Sequence, residues 1–159
     1  MNHITAHPID TLLDYQTVRF QELTEEIVSC CQERTSYLSR KFGIPEAEVR
    51  CLMLFEGERY LTPKGIARRL DVSKSRVTKL IEGLARKKLV ERIADFKDAR
   101  VKLISLTPEG QRKWEAIVAI SRELHEKVLL ELEPEHRKTI LSSMEELRSS
   151  MEAVKKELV

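Results

Sequence analysis

The chain has 159 residues, of which 42% are hydrophobic and 34% charged, and its formal net charge is +2. Such a chain forms one ordinary domain or a small domain with a helical extension, and its hydrophobic content excludes global disorder. It has no apolar run near the roughly 20 residues that span a bilayer, no signal-peptide pattern at its start, and three cysteines without a CxxC spacing, which is typical of reduced thiols. We therefore expect a cytoplasmic protein without a membrane partner.

The first predicted element is a long helix over residues 9–40, where apolar side chains recur near the 3.6-residue period. The segment "FGIPE" interrupts this pattern. Gly43 can end a helix, and Pro45 suits the first turn of the next one. We predict that this second helix runs as far as Gly57.

Two helices with clear start signals follow. Thr62 is a good N-cap and Pro63 a good first residue, so a short helix is predicted over residues 63–70. Ser73 is the next N-cap candidate and opens a longer helix. A helix of about eight residues, a three-residue turn and a second helix is the spacing of a helix-turn-helix, although helical hairpins that do not bind DNA share it.

The period changes in residues 89–106, "LVERIADFKDARVKLISL". Apolar and β-branched residues alternate with charged ones on both sides of "ADFKDAR", which is typical of a β-hairpin. A helix-turn-helix followed by a charged hairpin predicts a winged helix.

Two further helices complete the chain. Thr107 as cap and Pro108 as first residue predict one of them, and Pro134 is expected to begin the last. Along this last helix a narrow apolar seam steps by three or four residues and comprises Ile140, Met144, Leu147, Met151, Val154 and Leu158. The seam is too narrow for the core of a monomer, so we expect the first helix and the last two to bury their apolar faces against a second copy.

The predicted fold is mainly α with a small β-hairpin wing. We expect residues 1–42 to contribute to dimerisation, residues 43–106 to form the winged helix-turn-helix DNA-binding domain, and residues 107–159 to supply the C-terminal dimerisation helices.

The net charge hides a basic middle segment. Residues 62–102 hold thirteen cations and five acids, net +8, while the rest of the chain holds 15 cations and 21 acids, net −6. Nucleic acid is the commonest partner of such a patch, and a solvated basic face is the alternative.

The stretch from "LTPKGIARRL" through "SKSRVTKLIEGLARKKLV" and "DFKDAR" to "LTPEG", residues 61–110, resembles the MarR family of bacterial winged-helix regulators. The resemblance implies a homodimer whose first and last two helices interlock, with one winged helix per subunit on a pseudo-palindrome in duplex DNA. It also implies a repressor that a small ligand, metal or oxidant releases.

Two residues depart from the family pattern. The family often has Gly where Lys88 stands, and a left-handed Lys costs about 1 kcal/mol, so we expect a slightly different helix end. In the wing, Lys97 replaces an Arg and loses the planar fork of that side chain, which makes a minor-groove contact less specific.

We predict ten residues that contact double-stranded DNA: Thr62, Lys64, Ser73, Lys74, Ser75, Arg76, Thr78, Lys79, Lys97 and Arg100. The helix that Ser73 opens would enter the major groove, where unpaired N–H groups and short hydroxyl side chains favour close approach. Arg76 is expected to read a guanine edge. Lys97 and Arg100 would reach toward the minor groove, with Asp98 orienting Arg100.

The sensing chemistry stays open in the sequence. Adjacent Cys30 and Cys31 are poorly placed for a mutual disulfide, and buried small hydrophobes are the usual fate of free cysteines, Cys51 included. A zinc site could combine His125 with Glu25, Glu26, Cys30 and Cys31, but the second His that the metal sensors of the family carry is missing, so no metal or other cofactor is predicted. A small aromatic or lipophilic effector could bind among Tyr15, Tyr37, Phe42 and Trp114, whose alternative role is core packing.

The remaining function classes are weaker. The sequence has no nucleophile, base and acid set and no Gly-rich phosphate loop, so an enzyme is not predicted. A winged helix that docks an acidic protein partner is the alternative to DNA binding, and a metal- or redox-responsive repressor is a variant of the same function.

Overall fold

A computed structural model describes residues 8–94 and 102–157. These residues form six helices and two strands: α1 (Pro8–Phe42), α2 (Glu46–Met53), α3 (Pro63–Leu70), α4 (Lys74–Arg86), β1 (Val90–Ala94), β2 (Lys102–Leu106), α5 (Pro108–Leu130) and α6 (Pro134–Glu157). The chain divides into two compact units, one ending at Trp114 and the other beginning at Glu115. The predicted fold class is confirmed.

Helix α1 begins and ends close to its predicted positions, and α2 begins close to its own. Gly43 has a φ of +64° and follows the last residue of α1, and Pro45 directly precedes α2. The predicted extension of α2 to Gly57 is wrong. Leu54 and Phe55 donate to carbonyls only three residues back, which tightens the chain into turns before Gly57 adopts a φ of +74°.

The core of the first unit lies where α2, α3, α4 and the hairpin meet. The cap predictions for α3 and α4 are confirmed: Gly65 N–H donates to Thr62 Oγ1 at 3.0 Å, and Ser73 precedes α4 in extended conformation. The buried apolar residues of this region are Val49, Leu52, Ile66, Leu70, Val77, Ile81, Leu84, Leu89, Val90 and Ile104. Their burial turns one face of α4 inward and leaves the other exposed.

The predicted hairpin is antiparallel, with Val90 opposite Leu106 and Ala94 opposite Lys102. A third backbone segment joins it, because Leu61 exchanges hydrogen bonds of 2.9 and 2.8 Å with Ile104. This bridge ties the start of α3 to the wing. It was not predicted, since one paired residue has no periodicity to detect.

The end of α4 keeps the left-handed geometry in spite of Lys88. Lys88 has a φ of +57°, its N–H donates to the Ala85 carbonyl, and the Leu89 N–H donates to the Leu84 carbonyl, both at 2.9 Å. This is the Schellman arrangement that glycine usually makes. The expected difference at this helix end is therefore wrong, because Thr107 binds the turn from outside: its hydroxyl donates to the Lys88 carbonyl, and its N–H donates to the Leu89 carbonyl at 3.1 Å.

Thr107 also caps α5, since the Gly110 N–H donates to its hydroxyl oxygen at 2.9 Å. Gly110 packs directly on the backbone of Leu89, where a Cβ would lie 1.8 Å from the Leu89 carbonyl oxygen. Any side chain at this position would therefore push the start of α5 away from the end of α4.

In the second unit, Arg137 joins α5 and α6 by donating to the carbonyl oxygens of Leu129 and Leu132, at 2.8 and 3.2 Å. No residue of α6 is buried within residues 134–157. No helix in the described parts of the chain is both long and apolar enough to cross a membrane.

Lys88→Gly should raise the free energy of unfolding by up to about 1 kcal/mol. A left-handed residue with a Cβ costs about 1–2 kcal/mol, and the extra freedom of glycine in the unfolded chain offsets about 0.5–1 kcal/mol of that gain. Urea unfolding at fixed protein concentration measures the difference. Lys88→Ala is the matched control, because it removes the same charge but keeps the Cβ. An equal gain in both variants would show that charge, and not backbone conformation, limits stability here.

Candidate nucleic-acid interface

The start of α4 presents short polar side chains and unpaired backbone donors to solvent. Ser73 Oγ accepts from the Arg76 N–H at 3.4 Å and lies 3.1 Å from Ser75 Oγ. Neither serine is buried. The other N–H groups of this first turn have no helical partner, and the positive end of the helix dipole favours an anion or a base acceptor there.

The structure brings eight of the ten predicted contact residues into the start of α3 and the first half of α4. Thr62 is half-buried, and the other seven are exposed: Lys64, Ser73, Lys74, Ser75, Arg76, Thr78 and Lys79. Lys97, Arg100 and Asp98 lie outside the described residues. We call these eight described positions at the start of α3 and in the first half of α4 the α3–α4 surface.

Two hydroxyl groups of this surface already serve the backbone. Thr62 uses its oxygen as an acceptor for the Gly65 N–H, so its own proton is still available to a phosphate oxygen. Thr78 donates to the Lys74 carbonyl at 3.1 Å, so it offers its methyl group and its oxygen lone pairs outward. Thr78 is thus better suited to a thymine methyl than to a phosphate.

Helix α2 adds a residue that sequence reasoning missed. A groove of about 310 Å³ lies between α2 and the start of α4, and Arg50 and Arg76 both line it, together with Ala47 and Ser73. Further along α4 the groove wall includes Ser75 and Lys79. Arg50 precedes Arg76 by 26 residues, so no local spacing signals that the two guanidinium groups share a groove.

The three cations at the end of α4 have different surroundings. Lys87 is not simply solvated, because its ammonium lies 3.0 and 2.9 Å from the two carboxylate oxygens of Glu48. Arg86 is exposed and borders an open depression together with Arg92 of β1. Lys88 is exposed as well.

Glu48 is 6% exposed and belongs to α2. Its carboxylate lies against Gly83 in the middle of α4, where a Cβ would be 2.3 Å from Oε1. The same charge acts on Cys51: burial first, and the negative charge of Glu48 second, raise the pKa of the Cys51 thiol from 9.0 to about 12. Cys51 is therefore protonated and unreactive at neutral pH.

The other candidate sensor residues have different surroundings. Burial is confirmed for Cys51, whereas Cys30 and Cys31 are exposed on α1 of the single chain, contrary to prediction. The reason is that the face of α1 that carries them is not covered within the chain. Nδ1 of His125 lies 2.6 Å from the Ser121 carbonyl oxygen. Among residues 8–94 and 102–157, no group of three or more His, Cys, Asp or Glu side chains is placed to hold a metal ion.

The four aromatic residues proposed for an effector cleft are not part of a common core. Tyr15 and Tyr37 are exposed, while Phe42 and Trp114 are half-buried. The Lys113 ammonium lies 5.9 Å from the centre of the Phe42 ring. Within the described residues Trp114 Nε1 is buried without a hydrogen-bond partner.

We expect iodoacetamide at pH 8 to leave Cys51 unmodified in the folded protein and to modify it once the protein is unfolded in urea. Only the thiolate is nucleophilic, and the raised pKa keeps Cys51 protonated. Because the folded pKa lies above the unfolded one, the free energy of unfolding should also fall as the pH rises from 9.0 toward about 12. Peptide mapping by mass spectrometry checks the labelling, and rapid labelling of Cys51 in the folded protein would contradict its placement.

Known proteins share both the sequence pattern and the fold. Residues 42–101 match the MarR family. The transcriptional repressor MdtR of Bacillus subtilis (strain 168) is 30% identical over 100 residues, which are 63% of this chain and 59% of MdtR. The repressor YetL of the same organism is 37% identical over 75 residues, 46% of this chain and 45% of YetL. The chain thus matches only about half the length of these relatives.

Solved structures extend the likeness beyond the winged helix. A mutant of S. aureus MepR is 25% identical with a TM-score of 0.71 over 83% of this chain and 98% of its own. Another MepR mutant, bound to an oligodeoxyribonucleotide, has the same identity and a TM-score of 0.58 over 83% of this chain and 97% of its own. A MarR family protein from Bacillus stearothermophilus shares the fold, with a TM-score of 0.78 over 87% of this chain and 96% of its own at 20% identity. Residues 42–101 are thus similar in sequence to the MarR family, and the winged helix described above has the fold of these MarR-type structures.

Proposed function

We propose that this protein is a dimeric, sequence-specific DNA-binding transcriptional repressor, and that it is not an enzyme. The observation that carries the proposal is the α3–α4 surface, where hydroxyl groups, cations and unpaired N–H donors face solvent on a helix whose other side is buried. Two relatives are named as transcriptional repressors, and one structural neighbour was solved with bound oligodeoxyribonucleotide. A protein of this function works on the chromosome, so we propose that it is cytoplasmic.

The first half of α4 would lie in the major groove. Short serine side chains allow its N-terminus to approach the base edges, and the fork of Arg76 matches the O6 and N7 acceptors of guanine. Lys74 and Lys79 would neutralise flanking phosphates, and Thr62 and Lys64 would fix the register on the backbone. For the wing, we propose that Lys97 and Arg100 reach the minor groove.

Two long helices favour a homodimer. Helix α6 runs for 24 residues with an apolar seam, none of whose described members, residues 140–154, is buried, and Met151 is 50% exposed. Helix α1 likewise exposes a series of large apolar side chains: Leu12, Leu13, Tyr15, Val18, Phe20, Leu23, Ile27 and Val28. A second copy would remove both surfaces from water, so we propose that residues 1–42 and 107–159 mediate dimerisation and residues 43–106 bind DNA.

We further propose that a small aromatic or lipophilic effector releases the repressor from its operator. Support comes from the indole N–H of Trp114, which is buried with no acceptor among the described residues, and from the half-buried ring of Phe42 in the same unit. An acceptor atom of an effector would satisfy the indole N–H, and an aromatic ring would suit the apolar side chains. Release by metal or by oxidation is the second candidate, favoured only by the exposure of Cys30 and Cys31.

Selection from a randomised duplex library, at two salt concentrations, tests DNA reading. We expect an inverted repeat with half-sites about 10–10.5 base pairs apart and an affinity that falls steeply with salt.

On the selected operator, Arg76→Ala should weaken binding by about 1–3 kcal/mol and relax the preference at one base position. The matched control is Arg122→Ala, which removes an exposed arginine of α5 and should change neither the affinity nor the base preference. Salt-sensitive binding with no enriched motif would instead favour a docking module for an acidic protein.

Met151→Glu should weaken dimerisation by more than about 1.4 kcal/mol, or tenfold, because the carboxylate would lose its water in the apolar seam. Sedimentation velocity over a range of concentrations measures the change. Ser150→Glu adds the same charge one residue away, off the seam, and should leave the dimer intact. A Met151→Glu variant that dimerises like the unmodified protein would remove α6 from the interface.

A further inference from the structure

Much of the contact between α4 and the rest of the first unit is apolar. Burial of Val77, Ile81 and Leu84 decides which face of α4 points inward, but apolar packing has little directionality and tolerates a small roll of the helix about its own axis. The contact between Glu48 and Lys87 is different, because a charged hydrogen bond requires a defined distance and angle. It joins α2 to the C-terminal end of α4 across 39 residues of sequence.

Gly83 lowers the intrinsic stability of α4. Gly83 lies in the interior of α4, where glycine is the least favourable residue apart from proline. The structure shows what glycine permits: the Glu48 carboxylate occupies the space of a Cβ, 2.3 Å from where that atom would lie. A larger residue would move the carboxylate away from Lys87.

Such an arrangement is poorly explained by stability alone. The Glu48 side chain is 8% exposed and the Lys87 side chain 38%, so the carboxylate is buried while the lysine is in contact with solvent. Burying a carboxylate costs desolvation free energy, and the attraction within an ion pair seldom exceeds that cost. Buried ion pairs are better known for fixing one relative arrangement of the segments that they join. What Glu48 fixes here is the rotation of α4 against α2.

The same stripe of α4 carries Arg76. Gly83 follows Arg76 by seven residues and Lys87 follows it by eleven, close to two and three helical turns, so all three project from one side of the helix. Along that side, Ala47 and Arg50 of α2 border the groove beside Arg76. Glu48, the neighbour of Ala47 in α2, therefore acts on the stripe that holds the base-reading arginine.

We propose that Glu48 and Lys87, with Gly83 making room for them, are positioning residues that set the rotation of α4 and thereby the placement of Arg76 on DNA. This role rests on the proposed function. A roll of about 20° moves a guanidinium group about 8 Å from the helix axis by about 3 Å, which is far more than a hydrogen bond tolerates. Loss of the pair should consequently affect base reading and not general attraction to DNA.

The test compares two duplexes, the selected operator and a scrambled duplex of equal length and composition, by fluorescence anisotropy at two salt concentrations. Glu48→Gln and Lys87→Met remove the charges and keep the side-chain shapes. Each should raise the Kd for the operator by about tenfold or more, the effect of one misplaced bidentate contact, and change the Kd for the scrambled duplex less than about twofold. The double variant should lose no more affinity than either single one, because both substitutions remove the same ion pair.

Stability is controlled separately. Ile44→Val makes a small cavity at a buried site in the loop between α1 and α2 and should leave the ratio of the two Kd values unchanged. Urea unfolding of every variant establishes that binding is measured on folded protein.

Each other outcome overturns the positioning role. If the unmodified protein prefers the operator and the variants keep that preference, the role fails while the proposed function stands. If Lys87→Met weakens both duplexes alike and lowers the salt slope by about one, with no effect of Glu48→Gln, Lys87 is a phosphate contact instead. If the unmodified protein does not distinguish the duplexes, both the role and the proposed function fail.

Discussion

The rest of the structure depends on the burial of one face of α4. Val77, Ile81 and Leu84 pack into the core of the first unit, and their 3.6-residue spacing leaves the opposite side of the helix in water. Burial of the apolar residues thus decides which side chains of α4 face outward, and the exposed side chains themselves do not contribute to the hydrophobic stabilisation. Because the apolar residues between them are buried, the cations and hydroxyl groups of the α3–α4 surface are exposed to solvent.

Both ends of α4 are held by polar contacts that the apolar core cannot supply. At the start of α4, Ser73 Oγ accepts a hydrogen bond from the Arg76 N–H, and the remaining N–H donors of the first turn are left for a ligand. At the end, the turn through Lys88 is fastened by Thr107, which also begins α5. One threonine thereby joins the last turn of α4 to the first turn of α5.

The winged helix buries a much larger fraction of its apolar residues than the long helices α1 and α6 do. The winged helix has a core of its own, whereas α6 has no buried residue in the described range and α1 exposes a long apolar series. These surfaces are exposed in the described residues, and the second copy that we propose would cover them. In the dimer that we propose, helices that do not themselves contact DNA would set the spacing of the two α4 helices, and the proposed effector would act by changing that spacing.

The sequence by itself determined the features whose causes are local. Thr62, Ser73 and Thr107 were recognisable as caps because a cap acts on the three residues that follow it, and the helix and strand periods follow from one face being buried. Only the tertiary structure decided the Glu48–Lys87 pair, the Leu61–Ile104 bridge and the left-handed Lys88. Each joins or stabilises segments far apart in the chain, so its cause lies in a partner that no local pattern specifies. The spacing of residues shows which side chains share a face, but the geometry of a contact between two faces exists only once both have packed.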